Sequence, residues 1–126
     1  MEINRLKNKF YLSVFIILLS NSISSYAKSN EIIKNRQLLK NYGIAHCIAK
    51  FGEGEWLKKD LGNAKSLYFQ AGSYHGDALK HIDRYFGKEM ANSKEADSEN
   101  NPLIFHKCLT IYNSPKYQKF INGLVK

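Results

Sequence analysis

The chain has little of several features that mark common protein classes. Its 126 residues include only two cysteines and two prolines, and they contain no internal repeat and no low-complexity tract. The longest mainly apolar run, FYLSVFIILL at positions 10–19, is about half as long as the roughly 20 residues that a membrane-spanning helix needs. No segment alternates polar and apolar residues as a half-buried strand does. These absences exclude a repeat protein, a membrane-spanning protein and a protein built on β-sheets.

The first 27 residues have the layout of a secretory signal peptide. Basic residues at positions 5, 7 and 9 precede the apolar run, and Ser25 and Ala27 supply the small side chains that a signal peptidase requires. No cysteine lies near this point, so a lipid anchor has no attachment site. We expect cleavage before Lys28, export to the periplasm, and a mature domain of residues 28–126.

Basic residues outnumber acidic ones, 19 to 11, which gives the full chain a formal net charge of +8. Loss of the signal peptide would remove three basic residues and one acidic residue, and the balance would become +6. Such a charge often indicates nucleic-acid binding, but an exported protein meets little nucleic acid, and the lysines are scattered rather than arranged in a stripe. The alternatives are binding to anionic cell wall, binding to an acidic protein, or a charge that only maintains solubility.

Apolar residues of the mature chain recur at three- and four-residue spacings, which predict helices throughout. Glycines interrupt the pattern in FGEGEW and AGSYHGD, and Ser114 followed by Pro115 is a typical helix start. The polar segment ANSKEADSENNP separates the last two helices from the others. The sequence therefore predicts an all-α protein, a small single-domain bundle of about five helices, at 31–51, near Glu53–Gln70, from about Asp77, at Leu103–Tyr112 and after Ser114.

The same spacings predict which large side chains face the core. Phe86 lies on the apolar face of the third helix. The apolar side of the second helix carries Trp56, Leu57, Leu61, Ala64, Leu67, Tyr68 and Ala71. We expect these faces to turn toward the core, and we expect Tyr42 and Tyr112, on the stripes near the two cysteines, to be core residues.

Each cysteine has a histidine nearby: His46 precedes Cys47, and His106 lies two residues before Cys108. In an oxidising compartment an even number of cysteines favours a disulfide, so we expect Cys47–Cys108 to join the first and fourth helices. A catalytic thiolate would need an aligned base and an orienting group, and helix neighbours point about 100° apart. Two to four residues usually intervene between the zinc ligands in each half of a site, whereas none intervenes between His46 and Cys47 and only one between His106 and Cys108. We expect no catalytic centre, no metal site and no cofactor.

Three segments together resemble a known protein family. They are LLKNYGIAHCIAKFG at 38–52, FQAGSYHGDAL at 69–79 and KCLTIYNSPKYQKFI at 107–121. Their order and spacing behind a signal peptide are similar to those of the helical immunity proteins that neutralise the fourth class of type VI secretion amidases. The resemblance covers nearly the whole mature chain. Tyr42 stands where the family is expected to have tryptophan, and His46 where arginine is expected, so the resemblance does not identify which amidase is neutralised.

The resemblance implies a partner and a binding site. Members of this family bind a secreted cysteine amidase that cuts peptidoglycan peptides in the periplasm, act as homodimers, and insert a protruding loop into the active-site groove. In this chain the loop is SKEADSENNP, whose acidic and amide side chains suit a groove that accepts the carboxylates of stem peptides. The expected effector-binding residues are Ser93, Lys94, Glu95, Asp97, Ser98, Glu99, Asn100 and Asn101. The alternative is that this charged loop is only a solvated connector. Apart from the resemblance, Tyr74, His75 and Asp77 are candidates for secondary contacts, since aromatic residues with one polar end suit interfaces.

Two functions from different classes follow from the sequence. The first is a periplasmic immunity protein that occludes the active site of the amidase and has no catalysis of its own. The second is a periplasmic module that binds the cell wall or envelope through its basic surface. An enzyme would require a set of catalytic residues that the sequence does not contain.

Overall fold

The computed structural model describes the backbone of residues 3–126 and the side chains from Tyr26 onward. Within this range the secondary structure consists of helices and an isolated antiparallel bridge between Ala96 and Pro102. No described helix is long and apolar enough to cross a membrane. The five helices are α1 (Ile3–Phe51), α2 (Glu55–Ala71), α3 (Asp77–Asn92), α4 (Ile104–Asn113) and α5 (Pro115–Leu124). The prediction of an all-α, five-helix fold is confirmed.

The chain divides into two compact units, one that extends to Ile33 and one of residues Lys34–Lys126. Helix α1 begins at Ile3, far before the start predicted near position 31, because the apolar run also consists mostly of residues that tolerate a helix. The predicted signal peptide, residues 1–27, lies almost wholly outside the residues whose side chains the structure describes. Its removal stays a prediction.

The hydrophobic core belongs to the unit Lys34–Lys126. Helix α3 contributes one stripe at four-residue spacing, which is the pattern of a helix with a single buried face. Helix α2, in contrast, contains no fully buried residue. The core cluster comprises Leu39, Cys47, Ala78, Ile82, Phe86, Met90, Cys108, Ile111, Tyr117, Ile121 and Val125.

Tyr117 is the largest fully buried side chain. Its ring lies 5.2 Å from that of Phe86, centroid to centroid, and burial raises the pKa of Tyr117. The Ser114 hydroxyl caps α5 and accepts a hydrogen bond from the Tyr117 amide at 3.1 Å. This cap fixes the first turn of α5, from which the Tyr117 side chain enters the core. Tyr42 and Tyr112, predicted as core residues, are only half-buried and pack against the edge of the cluster.

Gly43 allows α1 to approach the Tyr117 ring closely. A Cβ at this position would overlap the Tyr117 hydroxyl and would lie 3.0 Å from Cε2 of Phe86. The same hydroxyl lies 3.4 Å from the carbonyl oxygen of Lys40, one turn earlier in α1. A side chain at position 43 would therefore separate α1 from α5.

Cys47 of α1 and Cys108 of α4 form the predicted disulfide, with an S–S distance of 2.01 Å and a Cα–Cα distance of 5.9 Å. Both cysteines are 0% exposed. The bridge therefore lies within the core cluster, where it fixes α4 against α1 and leaves no thiol accessible to solvent. The predicted pairing and its place in the fold are confirmed.

Replacing both cysteines with alanine is expected to lower the free energy of unfolding by about 4 kcal/mol, because the bridge closes a long loop, across 61 positions of sequence, in the unfolded chain. Urea unfolding followed by circular dichroism measures this loss. Wild-type protein treated with a reductant should approach the stability of the double variant. A loss below about 1 kcal/mol would contradict the chain-entropy argument.

Gly43→Ala is expected to lower the free energy of unfolding by about 1–3 kcal/mol, since the new methyl group overlaps a buried hydroxyl. Gly87→Ala is the matched control, because no atom lies within 4 Å of a Cβ there, and alanine is better than glycine in a helix by about 1 kcal/mol. Adding Tyr117→Phe to Gly43→Ala should recover part of the loss by removing the overlapping oxygen. Thermal unfolding would refute this account if the two glycine variants behaved alike.

Candidate functional site

The segment between α3 and α4, predicted as a loop without structure of its own, contains a short hairpin. The antiparallel bridge between Ala96 and Pro102 forms its base. Above the base, the Asp97 amide donates to the carbonyl oxygen of Asn101 at 3.1 Å, and the Asn100 amide donates to the carbonyl oxygen of Asp97 at 3.1 Å. We refer to residues 96–102 as the hairpin.

The carboxylate of Asp97 accepts three hydrogen bonds inside the hairpin. Its Oδ1 accepts from the backbone amides of Glu99 at 2.9 Å and Asn101 at 2.8 Å, and its Oδ2 accepts from Asn101 Nδ2 at 3.0 Å. These hydrogen bonds, those from Asn101 above all, lower the pKa of Asp97. Asn100 adopts φ 68°, a left-handed conformation that asparagine tolerates better than most residues. We call residues 98–100 the tip of the hairpin, and its conformation is therefore held by the polar groups of the hairpin itself.

Two side chains of α4 attach the base of the hairpin to the bundle. The Lys107 ammonium donates to the carbonyl oxygen of Ser93, the residue that ends α3, at 3.2 Å, while the Lys107 side chain is buried. A cation at this point also compensates the negative end of the helix dipole. His106 Nε2 lies 3.6 Å from Oε2 of Glu95. Lys107 was not among the predicted site residues, although its place beside Cys108 in the fourth helix was a usable signal.

The predicted effector-binding residues lie together on this segment and face solvent. Ser93 is half-buried, whereas the other seven are exposed. The three carboxylates differ in their surroundings, because Glu95 is close to a histidine and Asp97 is hydrogen-bonded within the hairpin. In the described part of the chain no ion pair involves Glu99. The three acidic residues are thus not equivalent, a difference that the sequence alone does not reveal.

The predicted further contacts lie at the other end of α3, about 22 Å from its last residue given its length of 16 residues. Tyr74 packs against the core and donates a hydrogen bond from its hydroxyl to the carbonyl oxygen of Tyr68 at 2.8 Å, and burial raises the pKa of Tyr74 to about 12. His75 and Asp77 are exposed. The structure therefore separates these three residues from the hairpin and gives Tyr74 a packing role.

His46 joins α1 to α3 rather than activating a thiol. Its Nε2 lies 2.9 Å from Oδ1 of Asp83, and this nitrogen carries the proton because a carboxylate can only accept. Burial lowers the pKa of His46, while the nearby Asp83 opposes this effect. Hydrogen bonds from Lys50 and His46 lower the pKa of Asp83. Cys47 is bridged, and the described residues contain no group of three or more side chains suited to hold a metal ion.

Helix α2 differs from its predicted orientation. Trp56 and Leu67, predicted to face the core, are 75% and 67% exposed. Leu57, Leu61 and Tyr68 of the same predicted side are half-buried, so the packed stripe of α2 is narrower than predicted. Since Trp56 and Leu67 are eleven positions apart, they lie three turns apart on one face, about 16 Å in length. We call this the outer face of α2.

A protein-family model matches more than half of the chain. No curated protein matches the chain. The model of a family described as type VI secretion system (T6SS), amidase immunity protein, matches residues 37–121. The matched span contains both cysteines, the hairpin and the buried Tyr117. The chain therefore belongs to the Tai4 family of type VI secretion system amidase immunity proteins.

Proposed function

We propose that this protein is a periplasmic immunity protein that binds a peptidoglycan amidase delivered by type VI secretion and occludes its active site. The observation that carries the proposal is the ordered, exposed hairpin 96–102 between α3 and α4, in a chain that belongs to this immunity family. The protein acts by binding and not by catalysis. It thereby protects the producing cell and its kin from the toxin.

The chemistry of the hairpin suits an amidase groove. Enzymes that cut acidic stem peptides must accept carboxylates. The hairpin and the residue before it offer exposed carboxylate, hydroxyl and amide groups in the order Glu95, Asp97, Ser98, Glu99, Asn100 and Asn101. A rigid segment loses little conformational entropy when it enters a groove. The partner would be a cysteine amidase, whose thiolate and histidine the hairpin would cover.

Export to the periplasm is part of the proposal. Residues 1–27 have the layout of a signal peptide, and the buried disulfide is of the kind that forms in oxidising compartments. The amidase family suggested by the match acts on cell-wall peptides, which lie in the same compartment as an exported immunity protein. Cleavage before Lys28 would leave residues 28–126 as the mature inhibitor.

A homodimer is also part of the proposal, and the outer face of α2 supports it. Trp56 and Leu67 expose two large apolar side chains on one helix face, and tryptophan is among the residues most enriched at the centres of interfaces. A second copy of the chain would cover this face and would leave the hairpin, on another segment, free for the amidase.

The function is tested by expressing the cognate amidase in the periplasm with and without this protein, and by measuring binding of the two purified proteins. We expect protection from lysis and tight binding. Replacing Glu95 and Glu99 with alanine should weaken binding more than tenfold, since even one opposite-charge contact in an interface contributes on the order of 1.5 kcal/mol or more. Glu31→Ala/Glu53→Ala, which removes two exposed carboxylates elsewhere, is the control for net charge.

Lysis that continues in the presence of the wild-type protein would exclude the immunity function. Salt-sensitive binding to purified cell wall without protection would favour the envelope-binding alternative. Equal weakening of amidase binding by the Glu95/Glu99 and Glu31/Glu53 double variants would assign the effect to net charge and place the contact surface elsewhere.

The dimer is tested by sedimentation equilibrium. Trp56→Ala/Leu67→Ala is expected to raise the dissociation constant of the dimer at least tenfold, because truncation of a central aromatic residue typically costs about 2 kcal/mol or more. Phe105→Ala, which removes a comparably exposed apolar side chain from α4, is the control. A monomeric wild-type protein, or dissociation caused by Phe105→Ala alone, would refute the assignment of this face.

A further inference from the structure

The three carboxylates of the hairpin segment have three different environments. Glu95 directly precedes the base of the hairpin, and its Oε2 lies 3.6 Å from Nε2 of His106. Asp97 accepts two backbone amides and one side-chain amide, so three of its hydrogen-bonding positions are occupied within the hairpin. Glu99 is exposed, and among the described residues its carboxylate has neither a hydrogen bond nor an ion pair. Only the last of these is free to meet a partner.

Deepening the proposed function, we infer that Asp97 is the positioning residue of the hairpin, and that Glu99 is the single carboxylate that the hairpin presents to the amidase. The partner groove would then accept one anionic group at the tip, as it would accept one carboxylate of a stem peptide. This assignment depends on the proposed function for the identity of the partner. The role of Asp97 in ordering the hairpin of the free protein does not depend on the proposed function.

The backbone of the tip shows why one side chain can control it. Ser98, Glu99 and Asn100 connect Asp97 to Asn101, whose backbone groups are hydrogen-bonded to each other. Asn100 takes the left-handed conformation that follows the turn in hairpins with three-residue connections. A single oxygen, Oδ1 of Asp97, holds the amides on both sides of Asn100. Loss of that oxygen would therefore release the backbone of residues 98–100 from its hydrogen-bonded conformation.

Apolar packing does not provide the same order. The hairpin contains no apolar side chain larger than Ala96 and Pro102, and all of its residues are exposed. Isolated two-stranded hairpins are marginal in water, so the internal polar contacts and the attachment at Ser93 must hold the tip. With these contacts in place, the tip loses its conformational entropy when the protein folds. Binding then carries no further entropy cost for ordering the tip.

A matched pair of variants separates the two roles. Asp97→Asn and Glu99→Gln each remove one negative charge, but Asp97→Asn keeps an oxygen that can accept the two backbone amides. We expect amidase affinity to fall roughly tenfold or more for Glu99→Gln and to stay within about threefold of wild type for Asp97→Asn. Asp97→Ala, which removes both oxygens, should also weaken binding roughly tenfold.

A second readout needs no amidase. Backbone ¹⁵N order parameters of Ser98, Glu99 and Asn100 should be those of ordered backbone in the wild-type and Asp97→Asn proteins, and should fall below about 0.6 in Asp97→Ala. Unchanged order parameters in Asp97→Ala would overturn the positioning role. Equal loss of affinity in Asp97→Asn and Glu99→Gln, with the tip still ordered, would make Asp97 a contact residue. A wild-type protein that does not bind the amidase would overturn the proposed function and the role of Glu99, while the order parameters still decide the role of Asp97.

Discussion

The buried bridge between Cys47 and Cys108 is the constraint on which the rest of the bundle depends. The core cluster contains eleven residues, two of which are these cysteines, and a domain of this size has a stability of only about 5–10 kcal/mol. Helix α4 has ten residues, fewer than an isolated helix needs for stability in water. A covalent link to α1 therefore contributes a large fraction of what holds α4 in place.

The same turn of α4 connects this bridge to the hairpin. Three consecutive residues each link α4 to another segment: His106 lies near Glu95, Lys107 donates to the carbonyl oxygen of Ser93, and Cys108 is bonded to its partner cysteine in α1. Anything that displaces α4 consequently displaces the base of the hairpin. The role of the disulfide is thus structural, and through α4 it determines where the exposed tip of the hairpin is held.

Local patterns were sufficient to predict much of the fold, whereas contacts between distant segments were not. Helical spacing predicted the elements, and Ser114 with Pro115 predicted the start of α5, because a cap involves only neighbouring residues. The burial of Tyr117 depends on Gly43 of another helix, and the exposure of Trp56 depends on how α2 docks. The order of the hairpin was not predicted, although Asp97, Asn100 and Asn101 are of residue types that favour turns.

Because the protein is basic overall, the charges at the tip of the hairpin matter more for the proposed binding than the net charge does. A groove that accepts carboxylates would repel the proposed mature chain, whose net charge would be +6, so long-range attraction cannot account for the proposed binding. At physiological salt, however, charges more than about 8 Å apart are largely screened, and only groups close to the tip affect the groove strongly. Glu99 lies at that tip, while most lysines lie on the helices. Affinity should therefore follow the local geometry of the hairpin and not the net charge, which is why a residue that orders the tip matters as much as one that contacts the partner.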